Sequence, residues 1–279
     1  MIVATIARDT ADSPNMQAND AAILEQIAVE LRATGAGTIA TEDTVQLRDA
    51  DIICHMSRSK KTLEILQEAE RQGIAVINSP AAVHNCSRSS FMEILEKAAI
   101  PQPPFKQITK EEELEGLPYP AWIKHSEGWS RHKDDVCFAD TPQEAVRAFR
   151  AMQARGIDGC IHCGHVPGDI IKFYGVGRRY FHYSYPDPEK SKFGLERING
   201  KAEHHPFDDE RLKELAFSAA EAIGLDIYGG DCIVNSKGEI FIIDINDFPS
   251  FSAVRNEAAK EIAAYILNYK KTKKDERRG

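Results

Sequence analysis

Apolar and polar positions change rhythm along this chain. Over the first hundred or so residues, short β-branched runs alternate with stretches of helical spacing. Residues 2–7 read as a strand, and residues 21–31 as a helix closed by Gly35. Residues 51–56 are a second strand, residues 62–72 a helix stopped by Gly73, and residues 74–77 a third strand. Strand–helix alternation predicts a parallel sheet with helices on its faces. Asn78-Ser79-Pro80 is a turn, and Ser90 to Glu93 has capping-box spacing for a helix to about Ala98. Ile100-Pro101-Gln102-Pro103-Pro104 is a stiff connector, which places a domain boundary after residue 103.

Beyond it, strands dominate. Residues 118–124 form a strand ending in Lys124; a basic loop, 125–133, and a strand at 136–139 follow. Thr141 then opens a helix with Pro142 at its first position. Residues 159–166, 169–177 and 179–185 read as further strands, 186–205 as a polar mobile loop, and 212–223 and 257–269 as helices. Between those last two lies the most informative stretch. Residues 231–234 and 239–243 are apolar runs joined by Asn235-Ser236-Lys237-Gly238, a hairpin signal. Asp231 is read near the start of one strand, with Asp244 and Asn246 at the end of the other, where hairpin ends are neighbours. Asp244 and Asn246, two apart, share a face. Two carboxylates and an amide oxygen suit Mg²⁺; a surface hairpin ending in polar residues fits the same pattern.

Composition narrows the function classes. The chain has 279 residues, a formal net charge of −8 and 42% apolar residues. That is enough to bury a sizeable core in two or three lobes, and an acidic balance argues against a nucleic-acid surface. No apolar run approaches a membrane span, and the first residues lack the basic region and cleavage site of a signal peptide. Six scattered cysteines suggest reduced thiols, so a cytoplasmic location is expected. The basic stretch 270–279 is expected to fray. Cys160, His162, Cys163 and His165 resemble a zinc set in spacing, but along a strand they divide between two faces. No glycine-rich dinucleotide fingerprint follows the first strand. Arg58, Lys60 and Lys61 lie where ligands usually meet such a sheet, and equally fit a solvated helix start.

Asp231, Gly238 and Asp244-Ile245-Asn246 with Phe248-Pro249 resemble the metal-binding end of the ATP-grasp superfamily, most of whose members carry Glu at the position of Asp244. The Asp-Ile-Asn-x-Phe-Pro form is similar to the inositol-trisphosphate 5/6-kinase branch, as is Lys172-x-Tyr174-x-Val176-Gly177. Residues 76–103 are similar to the entry into glutathione-synthetase-like members. The resemblance implies an ATP-grasp fold behind an N-terminal Rossmann-like lobe at 1–103, with a small lid subdomain at 104–166, a catalytic subdomain at 167–269 and the basic tail at 270–279. It implies ATP and Mg²⁺ as cofactors, with Asp231, Asp244 and Asn246 on the metal and Lys124 and Lys172 on phosphates. By the same resemblance the loop at 126–133, including His132, is expected to cover the phosphates, and the hinge at Cys163, His165 and Val166 to receive adenine, although the usual Gln-Glu-aromatic sequence is absent there. Ser250, Ser252 and Arg255 are expected to face the acceptor, with Lys190, Lys192, Arg197 and Lys201 as further substrate-side cations.

The expected activity is that of a carboxylate–amine ligase acting through an acyl phosphate on an anionic small molecule, with no nucleic-acid or membrane partner. A kinase phosphorylating a hydroxyl and a non-catalytic ATP-binding module are the alternatives. The sequence leaves the oligomeric state open.

Overall fold

The computed structural model describes residues 1–12, 16–41, 44–126, 132–186 and 198–276, with side chains omitted at 44–45 and 270–276. The first unit runs β1 (Ile2–Ile6), α1 (Gln17–Ala33), β2 (Gly37–Ala40), α2 (Thr44–Leu47), β3 (Ile52–His55), α3 (Lys60–Arg71), β4 (Ala75–Ile77), α4 (Pro80–Asn85) and α5 (Arg88–Lys97). Its four strands form a parallel sheet in the order β2-β1-β3-β4. The short strand β2 goes beyond the sequence reading. Ser59 and Ser79 cap α3 and α4 through their hydroxyls, whereas Ser87, not Ser90, stands at the N-cap of α5.

A second sheet, β5 (Phe105–Ile108), β6 (Ala121–His125), β7 (Val136–Ala139) and β8 (Cys160–Gly164), is antiparallel in the order β5-β8-β6-β7, with α6 (Pro142–Gln153) on one face. Cys160 packs on the α6 side and Cys163 in the opposite core. Among the described residues no group of three or more His, Cys, Asp or Glu is arranged to hold a metal ion. The zinc-like spacing therefore has no structural counterpart there.

The third sheet contains β9 (Asp169–Val176), β10 (Tyr180–Ser184), β11 (Ile227–Val234) and β12 (Ile240–Asp247) in the antiparallel order β10-β9-β11-β12. Its underside packs Ile171, Phe173, Cys232, Val234, Ile242 and Ile245 against α7 (Asp209–Ile223). The final helix, α8 (Arg255–Glu276), returns to the first unit and shares a core with α1 and β1. Residues 270–276, expected as a frayed tail, continue α8.

Asn78 stitches the first and third units together. Its Nδ2 donates to Ile227 O at 2.7 Å, and its Oδ1 accepts from the N–H groups of Asp226 and Ile227, both at 2.8 Å. An amide thus supplies the hydrogen bonds that a neighbouring strand would give to the start of β11. Burial pushes the His55 pKa down, and the neutral ring donates its Nε2–H to Asn78 O at 2.7 Å. Among the described residues no helix is long and apolar enough to cross a membrane.

Candidate functional site

The upper face of the third sheet brings three charged side chains into one row. Lys172 on β9 lies directly across from Asp231 on β11, which lies across from Asp244 on β12. Asp231 sits in mid-strand rather than near a strand start, because β11 begins four residues before it at Ile227. The convergence is therefore lateral, across the ladder, and does not depend on strand ends. Lys172 Nζ lies 3.0 and 3.2 Å from the two Asp231 oxygens, and Asn246 Nδ2 donates to Asp244 Oδ2 at 2.9 Å.

A β-bulge decides which way Asp244 points. The register moves from Asp231 opposite Asp244 to Cys232 opposite Ile242, leaving Ile243 as an extra residue on β12. Ile240 and Ile242 face the core, so unbroken alternation would send Asp244 and Asn246 there too. The inserted residue flips the phase. Ile242 and Ile245, three apart, both enter the core, and Asp244 and Asn246 turn to the upper face. The carbonyl oxygen of the bulged Ile243 lies 3.4 Å from Lys124 Nζ, which reaches over from β6 of the second sheet. Lys124 is 9% exposed, so both sequence-predicted lysines approach the same hairpin from different sheets.

The other predicted residues are more dispersed. His165 Nδ1 accepts from Trp122 Nε1 at 3.2 Å and its ring packs edge-on to Phe138, while its backbone N–H is spent on Pro120 O. Cys163 is buried, and Val166 O accepts from Asn199 Nδ2 at 3.5 Å. His132 caps a short turn through its Nδ1, which accepts from Asp134 N at 3.2 Å, and its side chain also faces the Asp134 carboxylate. Residues 127–131 of its loop lie outside the described residues, as do Lys190, Lys192 and Arg197. Lys201 is exposed, and the stretch after it is tied down by Asp169, whose oxygens accept from Glu203 N and His205 N, both at 2.7 Å. Arg255 opens α8 and donates Nη2 to Asn19 Oδ1 of α1 at 2.8 Å. Arg58 is engaged with Asp247 rather than open to a ligand, while Lys60 and Lys61 are exposed on α3.

Arg88 is a candidate the sequence reading passed over. It begins α5, donates Nη1 to His125 O at 3.3 Å, and lies within electrostatic reach of Asp244. Burial lowers its pKa, opposed by Asp244 and Asp135. The only signal along the chain is a basic residue just after an N-cap serine, which many solvated helices share.

The donor set at the hairpin is two carboxylates and one amide, all hard-oxygen ligands on one face, and that chemistry fits Mg²⁺. Asp231 and Asp244 face each other as like charges, which a sheet tolerates poorly without a cation between or beside them. In this structure the Lys172 ammonium supplies that charge to Asp231.

No family model matches the chain. It is 26% identical over 216 residues to a probable alpha-L-glutamate ligase of Haemophilus influenzae, an alignment covering 74% of this chain and 69% of that protein. Among solved structures, D-alanine–D-alanine ligase from Bacillus anthracis superposes with a TM-score of 0.71 at 13% identity over 99% of both chains. Its ATP complex gives 0.70 at 14% identity, again over 99% of both chains. A RimK domain ATP-grasp protein from Sphaerobacter thermophilus superposes with a TM-score of 0.68 at 16% identity, covering 96% of this chain and all of that one.

Proposed function

We propose that this chain, a member of the ATP-grasp superfamily, is a Mg-ATP-dependent carboxylate–amine ligase whose phosphoryl-transfer centre is the Lys172–Asp231–Asp244 row. The observation that carries the reading is that row: two carboxylates and a lysine on adjacent strands, with a second lysine reaching in from another sheet. The likeness to amide-forming ligases supports the ligase over the kinase. A relative named for glutamate suggests an acidic amino acid as one of the two substrates.

In this reading the second sheet is a lid, with divisions near residues 103 and 166, and ATP lies between it and the third sheet. Adenine belongs to the segment carrying Cys163, His165 and Val166, where Trp122 and Phe138 fix the His165 ring. Lys124, Lys172 and Arg88 face the phosphates, with His132 at the edge of the covering loop. Asp231, Asp244 and Asn246 would hold Mg²⁺, which would supply positive charge to the phosphate oxygens. The acceptor carboxylate attacks the γ-phosphorus, forming an O–P bond as the β–γ bridge breaks and ADP leaves. The amine then attacks the acyl carbon. The C–N bond forms, phosphate departs with the former carboxylate oxygen, and the amine releases its proton to solvent or phosphate. No protein nucleophile is needed; the side chains orient the reactants and neutralise charge. Arg255, a cation at a helix N-terminus where the dipole disfavours it, is assigned to the anionic acceptor. The test is ADP formation in purified protein that requires a carboxylate and an amine together. ADP formed with a hydroxyl acceptor alone would favour the kinase.

Lys124→Met and Lys172→Met are each expected to weaken ATP binding about tenfold or more, since a charge-assisted contact is worth ~1.5–3 kcal/mol. Lys172→Met should also act in the opposite direction on metal. With the ammonium gone from the Asp231 oxygens, Mn²⁺ should bind the nucleotide-free protein more tightly. Calorimetry with ATP and Mn²⁺ titrations followed by electron paramagnetic resonance check both signs. Wild-type ATP affinity in either variant would remove that lysine from the phosphate site.

A further inference from the structure

The strand that presents Asp244 and Asn246 ends in Asp247, which faces the other way and is buried. Arg58 holds it from the loop after β3, with Nε at 2.7 Å and Nη2 at 2.5 Å from Asp247 Oδ1. Arg8, from the loop after β1, places Nη1 3.7 Å from Asp247 Oδ2. It also donates Nη2 to Phe248 O at 2.6 Å and sets Nε 3.2 Å from Asp20 on α1. Two guanidinium groups thus face two carboxylates, all nearly excluded from water.

The turn gripped in this way is strained. Phe248 (φ 35°) and Phe251 (φ 47°) both lie in the left-handed region, which bulky side chains avoid, and both are fully buried. Such backbone persists only where its surroundings over-determine it. Here the surroundings are the Arg8 bond to the Phe248 carbonyl and the Arg58 bonds one residue earlier.

We infer that Asp247, clamped by Arg8 and Arg58, is a positioning residue for the metal strand. It touches no reacting atom. With its two arginines it fixes the backbone at residues 247 and 248, where the strand enters the turn, and so sets where Asp244 and Asn246 present their oxygens. The clamp makes the geometry of the third sheet's upper face depend on the docking of the first sheet's loops. It also commits Arg58 internally, so an anionic acceptor must find its cation elsewhere. The inference rests on the reading of Asp244 and Asn246 as metal ligands, and the test separates the two.

Mn²⁺ affinity is measured by electron paramagnetic resonance on the full chain with a non-hydrolysable ATP analogue, for Asp247→Asn, Arg58→Gln, Arg58→Lys and Asp244→Asn. The clamp predicts at least fivefold weaker Mn²⁺ binding and an altered Mn²⁺ line shape in Asp247→Asn and Arg58→Gln. It also predicts partial recovery in Arg58→Lys, with metal-free nucleotide affinity changed less than twofold throughout. Folded variants with wild-type Mn²⁺ affinity and line shape, differing only in melting temperature, would overturn it. If Asp247→Asn or Arg58→Gln fails to fold, Arg58→Lys decides, because it keeps the charge and loses the fork: Mn²⁺ affinity below wild type with an altered line shape supports the clamp, and wild-type values of both overturn it. Loss of Mn²⁺ in Asp244→Asn alone refutes the clamp and leaves the metal site standing. Retention in Asp244→Asn refutes the metal site itself.

Discussion

Asp244→Asn is expected to lower ATP-dependent turnover by on the order of 10²–10³-fold, the range seen when one electrostatic contact to a developing charge is removed. The substitution keeps the shape and removes a full negative charge from the site proposed to hold a divalent ion. Asp231→Asn should lose turnover comparably, and Asn246→Ala less, because only a neutral ligand goes. Stability should move the other way. Asp231 and Asp244 stand directly opposite one another, and like charges in that position destabilise a sheet, so the melting temperature should hold or rise slightly. ADP release at saturating Mg-ATP, read beside thermal unfolding, checks both halves. Wild-type turnover in Asp244→Asn would return the hairpin to a purely structural role.

The second large effect concerns Gly230, next to Asp231 on the central strand. A methyl group there would lie 2.4 Å from Asp244 O and 2.4 Å from the Phe173 ring. The ring belongs to β9 and is packed in the core, and the carbonyl belongs to β12, so an added methyl pushes β11 away from its neighbours on both sides. Overpacking of this kind costs about 1–3 kcal/mol, occasionally more. Gly230→Ala should therefore unfold at lower denaturant and bind Mg-ATP poorly even where folded, because the two carboxylates are forced apart. A denaturant titration and a nucleotide titration measure the two effects. Wild-type values in both would show that the strands are not held as closely as the structure has them.

The hairpin was legible because its turn has chemistry: Asn235 Oδ1 accepts from the N–H groups of Lys237 and Glu239, and Gly238 takes φ 76°. Lys124 was legible as the lysine closing an apolar run, and Lys172 through the family resemblance. The bulge was not, since an extra residue in a strand leaves no mark in an alternation already broken by charged positions. The sequence placed Asp244 and Asn246 on one face, but which face was decided by Ile243. The strands β2 and β5 were missed because each is an edge strand of four residues, half exposed and without a continuous apolar run. Asp247 went unremarked for a different reason. Its partners Arg8 and Arg58 lie 239 and 189 positions away, and a clamp assembled from a strand end and two separate loops has no local pattern.

The most direct measurement follows oxygen. With an acceptor labelled with ¹⁸O in its carboxylate, an acyl phosphate must form through one of those oxygens and surrender it when the amine arrives. The account predicts ADP, an amide and inorganic phosphate carrying one ¹⁸O per turnover, with none of these products accumulating unless acceptor and amine are both present. Phosphate free of label, or a phosphoryl group retained on a small molecule that keeps all its ¹⁸O, would contradict it.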